Sequence, residues 1–321
     1  MPYRYVTHGQ APHVAAQLTE LSNLAFAEYE GAPTVDVEFS RWYARRPGST
    51  PGLCVAALAG GQMVANVLVA LQHVNLGGEF VPCGIVDTVA THPQHRRQGL
   101  AHRLMAMAHG LMRAHGAEAG VLYTNPANHP YHFYTRLGYV TRAQAAMLAG
   151  QRPPPAGVCH VRPLAAHEAG AVRELVNGEY ESYEGFARLD DDLWRWHRVA
   201  RPASMPAQVV VAERAGRLVG TAALAEVSVL LEGRQMRVTV ASDLVHDGPD
   251  CLRDLLAAAP QESLMALHDV RAPEHAALEQ VGLSSAVGEA AMVLSFTDRA
   301  RDLLRRPPAP WYVMVESVVG V

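Results

Sequence analysis

The sequence predicts an α/β fold made of two copies of one domain. Three observations lead to this prediction. A strand-like run, a turn and an amphipathic helix follow one another over residues 84–111. The sequence nearly recurs at a shift of 154 residues, which is the length of a domain. A segment with three consecutive prolines at 153–155 separates the two copies, because such a run disfavours helix and favours a stiff linker.

The first copy contains a strand that leads into a turn suited to anions. Residues 84–91 (Gly-Ile-Val-Asp-Thr-Val-Ala-Thr) are rich in β-branched side chains and precede His92-Pro93, which indicates a strand and then a turn. After Gly99, leucine or methionine returns with a helical period at 100, 104, 107 and 111. The junction points free N–H groups, a helix dipole and two arginines at one spot. A pyrophosphate fits this site; the alternative is an ordinary turn with solvated arginines.

Two motifs of the first copy resemble those of the GNAT superfamily of acyl-CoA N-acyltransferases. Residues 96–101 (Arg-Arg-Gln-Gly-Leu-Ala) resemble its Arg/Gln-x-x-Gly-x-Gly/Ala signature. Residues 133–139 (Phe-Tyr-Thr-Arg-Leu-Gly-Tyr) resemble the Tyr-x-x-x-Gly-Phe/Tyr segment that closes the same fold. Their order, and the strand-like run 120–124 between them, agree with the superfamily. The resemblance implies α/β (α+β) domains, each a mixed twisted sheet flanked by helices.

The second copy repeats the scaffold of the first without its chemistry. Arg-Trp at 41–42 returns at 195–196, and Tyr-Glu-Gly at 29–31 returns at 183–185. We therefore expect a catalytic, acyl-CoA-binding domain at 1–150 and a degenerate domain at 158–321. The second turn, 246–252 (His-Asp-Gly-Pro-Asp-Cys-Leu), has acidic groups in place of arginines and would repel a pyrophosphate. The second domain is expected to be structural or to shape the substrate site.

This arrangement resembles tandem-GNAT proteins in which one half binds acyl-CoA. It is similar to the enhanced-intracellular-survival family of aminoglycoside acetyltransferases, whose working half comes first, although we expect it to lack that family's third domain. Mycothiol synthase is also a tandem protein, with its working half second, so the subfamily stays open.

Composition favours a packed globular protein and disfavours several kinds of partner. The chain has 321 residues, of which 49% are hydrophobic and 18% charged, as expected for two well-packed domains. Its net charge of -4 provides no general attraction to nucleic acid or to anionic membranes. Four cysteines without a CxxC pair argue against a zinc site and a disulfide framework. Without a signal-peptide core or a long apolar span, we expect a cytoplasmic monomer or homo-oligomer.

The resemblance implies where acyl-CoA binds. Main-chain groups of Val89 and Thr91 would pair with the pantetheine arm. Glycine in the turn permits close approach of the ligand to the backbone. The groups expected to bind the pyrophosphate belong to Arg96, Arg97, Gln98, Gly99, Ala101 and His102. The expected cosubstrate is acetyl-CoA, and no metal is expected, because the two His-Pro-x-His runs lack a carboxylate or thiol cluster.

Tyr134 is the candidate general acid. A phenol with a pKa near 10 is protonated at neutral pH and can donate a proton to a departing sulfur. The resemblance places this tyrosine beside that sulfur, and the second copy has Leu278 at the matching position. Aromatic packing is the alternative role.

Two acidic residues are candidates for deprotonating or binding the acceptor amine. Asp87 shares strand parity with Val89 and Thr91, so all three are expected on one face. It is a candidate base, with a structural or orienting role as the alternative. Glu28 is a candidate for attracting a cationic amine, although its acidic segment could instead be architectural.

These residues together predict an N-acetyltransferase that moves an acetyl group from acetyl-CoA to a small primary amine by direct attack. Two alternatives stay open: a transferase that uses another acyl-CoA, and a non-catalytic acyl-CoA-binding sensor or scaffold. The acceptor amine and the general base are not identified by the sequence.

Overall fold

The computed structural model describes residues 2–29, 32–231 and 234–319. Strands and helices follow one another in two similar series along these residues. The strands are β1 (Arg4–Thr7), β2 (Val55–Ala59), β3 (Gln62–Leu76), β4 (Glu79–Thr91), β5 (Ala119–Thr124), β6 (Val140–Gln151), β7 (His160–Pro163), β8 (Ala207–Arg214), β9 (Arg217–Leu231), β10 (Arg234–Val245), β11 (Ser263–Asp269) and β12 (Ser284–Ser295). The helices are α1 (Val14–Phe26), α2 (Val37–Tyr43), α3 (Leu100–Ala114), α4 (His129–Arg136), α5 (Ala169–Tyr180), α6 (Asp191–Trp194), α7 (Pro249–Ala257), α8 (Pro273–Gln280), α9 (Asp298–Leu303) and α10 (Val315–Val319).

The described residues form one mixed sheet of twelve strands with helices on its faces, so the predicted fold class is confirmed. The strand order is β1-β2-β3-β4-β5-β12-β6-β11-β10-β9-β8-β7. The pairs β4–β5 and β10–β11 are parallel, whereas the other neighbours are antiparallel. The two halves of the sheet have the same strand order. If β1 is matched with β7, β2 with β8 and so on to β6 with β12, the order counted from one edge equals the order counted from the other. Each half therefore places its last strand, β6 or β12, inside the other half of the sheet.

Reciprocal contacts relate the two halves. The Trp42 and Trp196 rings stack 4.5 Å apart, and each indole N–H donates to the other residue's carbonyl at 3.0 Å. Asp36 and Asp190 cap α2 and α6 in the same way, each accepting from a backbone N–H three residues on. Reciprocity of this kind is what a two-fold relation between copies requires. It supports the predicted duplication, although the exchanged strands make the sheet continuous across the linker.

Helices cover both faces of the sheet around separate apolar clusters. The predicted helix after Gly99 is confirmed as α3, and its apolar stripe packs with α4 against β3 and β4. The matching helices α7 and α8 cover the other half of the sheet. A larger cluster on the opposite face holds α2, α5 and residues 311–315. Within the described ranges, no helix has both the length and the apolar character needed to cross a membrane.

Candidate functional site

Strands β4 and β5 start side by side and then diverge. Their parallel pairing covers only Cys83–Ile85 and Ala119–Val121, whereas β4 continues to Thr91 and β5 to Thr124. On the side that faces β5, the later backbone groups of β4 therefore have no strand partner. We call the space between the diverging ends the β4–β5 cleft. An extended group with its own amides can bond there as an added strand does.

A β-bulge in β4 alters which side chains face the cleft. Thr88 adopts a left-handed φ of 48°, and the β3–β4 register shifts beside it. Val86 and Val89 consequently both pack against the cluster under α3. Asp87 bonds instead to groups on the other face. The predicted common face of Asp87 and Val89 is wrong, because that prediction assumed regular alternation through the strand.

The turn before α3 gathers unpaired backbone donors. Arg97 and Gly99 both have left-handed φ, at 62° and 74°. Such turns direct successive N–H groups toward one side, as in anion-binding nests. The first backbone bond of α3 runs from Arg103 N to Gly99 O at 3.1 Å, which leaves the preceding N–H groups of the first turn free for a ligand. A Cβ at Gly99 would meet no protein atom within 4 Å, so the backbone conformation is the local reason for glycine.

The two arginines of the turn have different surroundings. Arg96 Nη1 lies 2.8 Å from Glu28 Oε1, and its Nη2 donates to Ala25 O at 3.1 Å, so Arg96 fastens the end of α1. Arg97 is exposed, and its side chain makes no hydrogen bond to any described residue. Its charge is therefore available to an anion at the turn. Gln98 and His102 are also exposed, and Ala101 is half-buried at the start of α3.

Tyr134 lies beside the β4–β5 cleft. It projects from α4 into the cluster that contains Val86 and Leu122, the first residues beyond the β4–β5 pairing. Its hydroxyl has no hydrogen-bond partner among the described residues. Burial raises the pKa of Tyr134 above its ordinary value, and nearby acidic groups, of which Tyr29 is the strongest, raise it further. The phenol stays protonated at neutral pH and has a proton to give.

Asp87 belongs to a buried ion-pair network. Arg46 Nη1 donates to Asp87 Oδ2 at 2.8 Å, and Arg46 Nη2 donates to Glu316 Oε1 at 3.1 Å. The Ser317 hydroxyl donates to Asp87 at 3.3 Å, and His197 Nε2 lies 3.3 Å from Glu316 Oε2. Burial raises the pKa of Asp87, while the Arg46 guanidinium opposes that shift. With its charge matched by Arg46, this carboxylate is better suited to fixing the site than to shuttling protons.

Arg46 and Glu316 were missed by sequence reasoning. They lie 270 residues apart, and no periodic pattern connects them. One signal was present, because the second copy has Ala200 where the shift of 154 places the partner of Arg46. The second half has its own buried arginine near this position, Arg198, which donates to Asp243 Oδ2 at 2.7 Å.

The matching region of the second half is closed, and its carboxylates are paired with arginines, Asp243 with Arg198 and Asp247 with Arg214. The Tyr312 hydroxyl donates to Asp243 Oδ1 at 2.6 Å, and the adjoining cavity holds only about 10 Å³, room for about one water. At the turn, Asp247 forms an ion pair with Arg214 at 2.6 Å. Leu278, which matches Tyr134, is fully buried in the apolar core. Among the described residues of this half, none lies at the matching position with an unbonded hydroxyl.

Two cysteines that are distant in the sequence meet at the second turn. In the part of the chain that the structure describes, the ligand atoms of Cys159, Asp247 and Cys251 lie within 4.8 Å of one another. Arg214 donates to Cys159 Sγ at 3.4 Å while it binds Asp247, so a guanidinium already satisfies two of the three groups. That positive charge opposes a metal ion. The spacing argument from CxxC could not detect this cluster, and the absence of a metal stays a prediction.

Comparisons with known proteins agree with this geometry. Residues 8–141 match the family model described as an acetyltransferase (GNAT) domain. A search of curated proteins gave no significant match.

Among solved structures, the chain resembles a GCN5-related N-acetyltransferase from Anabaena variabilis at 12% identity and a TM-score of 0.64, covering 91% of this chain and 72% of that one. One from Kribbella flavida gives 17% identity and 0.60, covering 93% and 72%. The N-myristoyltransferase of Saccharomyces cerevisiae with bound myristoyl-CoA gives 11% identity and 0.73, covering 92% and 84%. At these identities the likeness concerns the fold. The matched residues 8–141 include both sequence motifs.

Proposed function

We propose that this chain is an N-acyltransferase that moves an acyl group from acyl-CoA to a small primary amine, with the catalytic site in residues 8–141. One observation carries the proposal. The donor-rich turn before α3 and the protonated, unbonded phenol of Tyr134 flank the same cleft between β4 and β5. A phosphate site and a proton donor at the two ends of one extended cleft suit a phosphorylated thioester.

In this proposal the backbone holds most of the acyl-CoA. The pantetheine amides pair with β4 beyond Ile85, at Val89 and Thr91, where β5 has diverged. The pyrophosphate accepts from N–H groups of residues 97–102, at the positive end of α3. Arg97 adds positive charge, whereas Arg96 contributes mainly by holding α1 against the turn.

The proposed reaction is direct transfer. The neutral amine attacks the thioester carbonyl carbon, the C–N bond forms, and the C–S bond breaks. The leaving thiolate takes the proton of the Tyr134 hydroxyl, which burial keeps on the phenol until the sulfur departs. The proton that the new amide nitrogen loses returns to the phenolate. Asp87 is a positioning residue, because Arg46 and Ser317 already bond to its carboxylate.

Acetyl-CoA is the donor that we favour, and the second half is a structural partner in this proposal. Longer acyl-CoA donors are the main alternative, since the yeast structure of similar fold holds myristoyl-CoA. A cytoplasmic location and kinship with the enhanced-intracellular-survival family also belong to the proposal. The four free thiols agree with a reducing compartment.

The test measures thiol release from acetyl-, octanoyl- and myristoyl-CoA with a panel of primary amines. We expect amine-dependent release with at least one donor, and its near loss in Tyr134→Phe. The matched control is Tyr131→Phe, which alters a partly exposed tyrosine on the same helix. Tight binding of acyl-CoA without turnover on any amine would contradict the proposal and favour an acyl-CoA sensor.

A further inference from the structure

A bulge in β12 sets the position of one carboxyl group. Val287 pairs with Ala146 and Ala290 with Gln144, so β12 has one residue more than β6 in this interval. The two bulged positions are Gly288 and Glu289. A Cβ on Gly288 would come within 2.9 Å of the Ala145 carbonyl oxygen, so glycine is needed for this close approach. Bulges of this kind often direct a side chain beside an active site.

The bulge lies at the end of β5 that borders the cleft. Strand β12 is inserted between β5 and β6, and Ala290 pairs with Thr124, the last residue of β5. Because β12 runs antiparallel to β5, Glu289 lies just beyond Thr124, at the end where β4 and β5 diverge. Its negative charge acts on the Tyr134 hydroxyl, as does that of Asp87. Glu289 thus borders the β4–β5 cleft, although it belongs to the second half of the chain.

Glu289 has no partner among the described residues, neither a cation nor a hydrogen-bond donor. This distinguishes it from Asp87, whose carboxylate is bound by Arg46. Burial alone raises the pKa of Glu289 to about 7. Apart from Tyr134, the ionisable side chains of β5, β6, α8 and α9 have partners other than Glu289. These pairs are Tyr123 with Trp311, Arg142 with Glu184, Glu274 with Tyr183, His275 with Ser285 and Glu279, Arg299 with Glu118, Asp298 with Arg301 and Asp302 with Arg305.

We propose that Glu289 is the general base that takes a proton from the acceptor ammonium of the transfer reaction. The inference rests on the proposed acyltransferase function and adds the residue that the mechanism lacked. Glu289 converts the ammonium to a free amine, which then attacks the carbonyl carbon. The thiolate takes the Tyr134 proton, the surplus proton on the new amide nitrogen returns to the phenolate, and Glu289 releases its proton to water. The net products are the amide, the free thiol of CoA and one proton.

The two groups are matched to their tasks. A carboxyl that titrates near neutral pH can both accept and release a proton at each turnover. The phenol beside it stays protonated throughout that range, so acid and base do not exchange roles. The exchanged strand thereby gives the second half a catalytic contribution without any acyl-CoA site of its own.

The test compares Glu289→Gln with the wild type between pH 5.5 and 9. We expect kcat/KM for the amine in the wild type to rise as a group near pH 7 ionises. Glu289→Gln should lower kcat at pH 8 by roughly 10²-fold or more, and this rising limb should disappear. Glu289→Asp should retain part of the activity. CoA affinity measured by calorimetry should change by less than about 2-fold, because the carboxyl binds the amine side of the site.

Glu279→Gln is the matched control, since Glu279 is an exposed glutamate on α8 of the same half, and it should behave as the wild type. A folded Glu289→Gln enzyme with near wild-type kcat and an intact limb would overturn the base role while leaving the transferase proposal in place. If Glu289→Gln does not fold, a pH profile of Glu289→Asp identical to that of the wild type overturns the role equally. If the wild type releases no thiol with any donor and amine, both proposals fail together.

Discussion

Removal of the Arg46 guanidinium should destabilise the protein in a pH-dependent way. Arg46 is almost fully buried and pairs with two carboxylates, Asp87 at 2.8 Å and Glu316 at 3.1 Å. Arg46→Met keeps most of the side-chain volume but leaves both carboxyls without their cation. Loss of one member of a buried ion pair costs about 3–5 kcal/mol, which is a large part of the stability of a typical domain. We expect a loss of this size at pH 7.5.

The sign of the pH dependence follows from the two carboxyl groups. Burial raises the pKa of Asp87 and of Glu316, and Arg46 opposes both shifts. Without Arg46, both folded-state pKa values rise further above their unfolded values. An acid with a raised folded pKa lowers stability increasingly as pH rises above its unfolded pKa. The loss in free energy of unfolding caused by Arg46→Met should therefore become smaller toward pH 5, where the buried carboxylates bind protons.

Urea unfolding followed by tryptophan fluorescence measures this effect, because Trp196 stacks between Trp42 and the Arg46 guanidinium. The control Arg45→Met alters an exposed neighbour and should cost less than about 0.5 kcal/mol. Replacing the charges of Arg46, Asp87 and Glu316 together by neutral side chains should recover most of the loss. A deficit below about 1 kcal/mol for Arg46→Met, or one that is equal at pH 5 and pH 7.5, would refute the network as described.

Four further outcomes are expected. Gly99→Asp should remove measurable CoA binding in calorimetry, whereas Gly116→Asp, at another open position with left-handed φ, should not; equal affinity in both would contradict the phosphate site. Calorimetry should also give one CoA per chain, and two equivalent sites would show that the second half binds as well. Tyr134→Phe should lower kcat by roughly 10²-fold with little change in CoA affinity, and near wild-type kcat would leave it a packing residue. Since burial raises the pKa of Glu289 from 4.5 to about 7, the free energy of unfolding of the wild type should fall by about 3 kcal/mol between pH 4.5 and 8 as this carboxyl ionises. Urea unfolding of Glu289→Gln should not show this fall.

Local sequence patterns predicted the elements around the cleft well. The β-branched run 84–91 is the end of β4, the helical period after Gly99 is α3, and the run 120–124 lies in β5. These assignments succeed because each depends on side-chain periodicity within one element and on turn chemistry at its end.

Patterns could not predict the parts that depend on distant residues. One extra residue at Thr88 reverses the strand parity, and nothing in the β-branched run shows where a bulge falls. The pairing of β12 with β5 joins residues about 170 positions apart, and its apolar pattern would suit any buried strand. Glu28 was predicted to attract a cationic amine, but in the structure it forms an ion pair with Arg96. That contact depends on where α1 ends in space, which the sequence pattern does not show.

The strand exchange ties the second half of the chain to the strands that flank the cleft in the first half. Without β12, the edge of β5 that faces away from β4 would present unpaired backbone groups and apolar surface. The second half closes that edge, and its residues 316 and 317 bond to Arg46 and Asp87 on the far side of β4. It therefore contacts both strands that flank the cleft. We propose that this packing is what the second half contributes, since its turn carries Asp247 and Asp250 where the first turn has arginines.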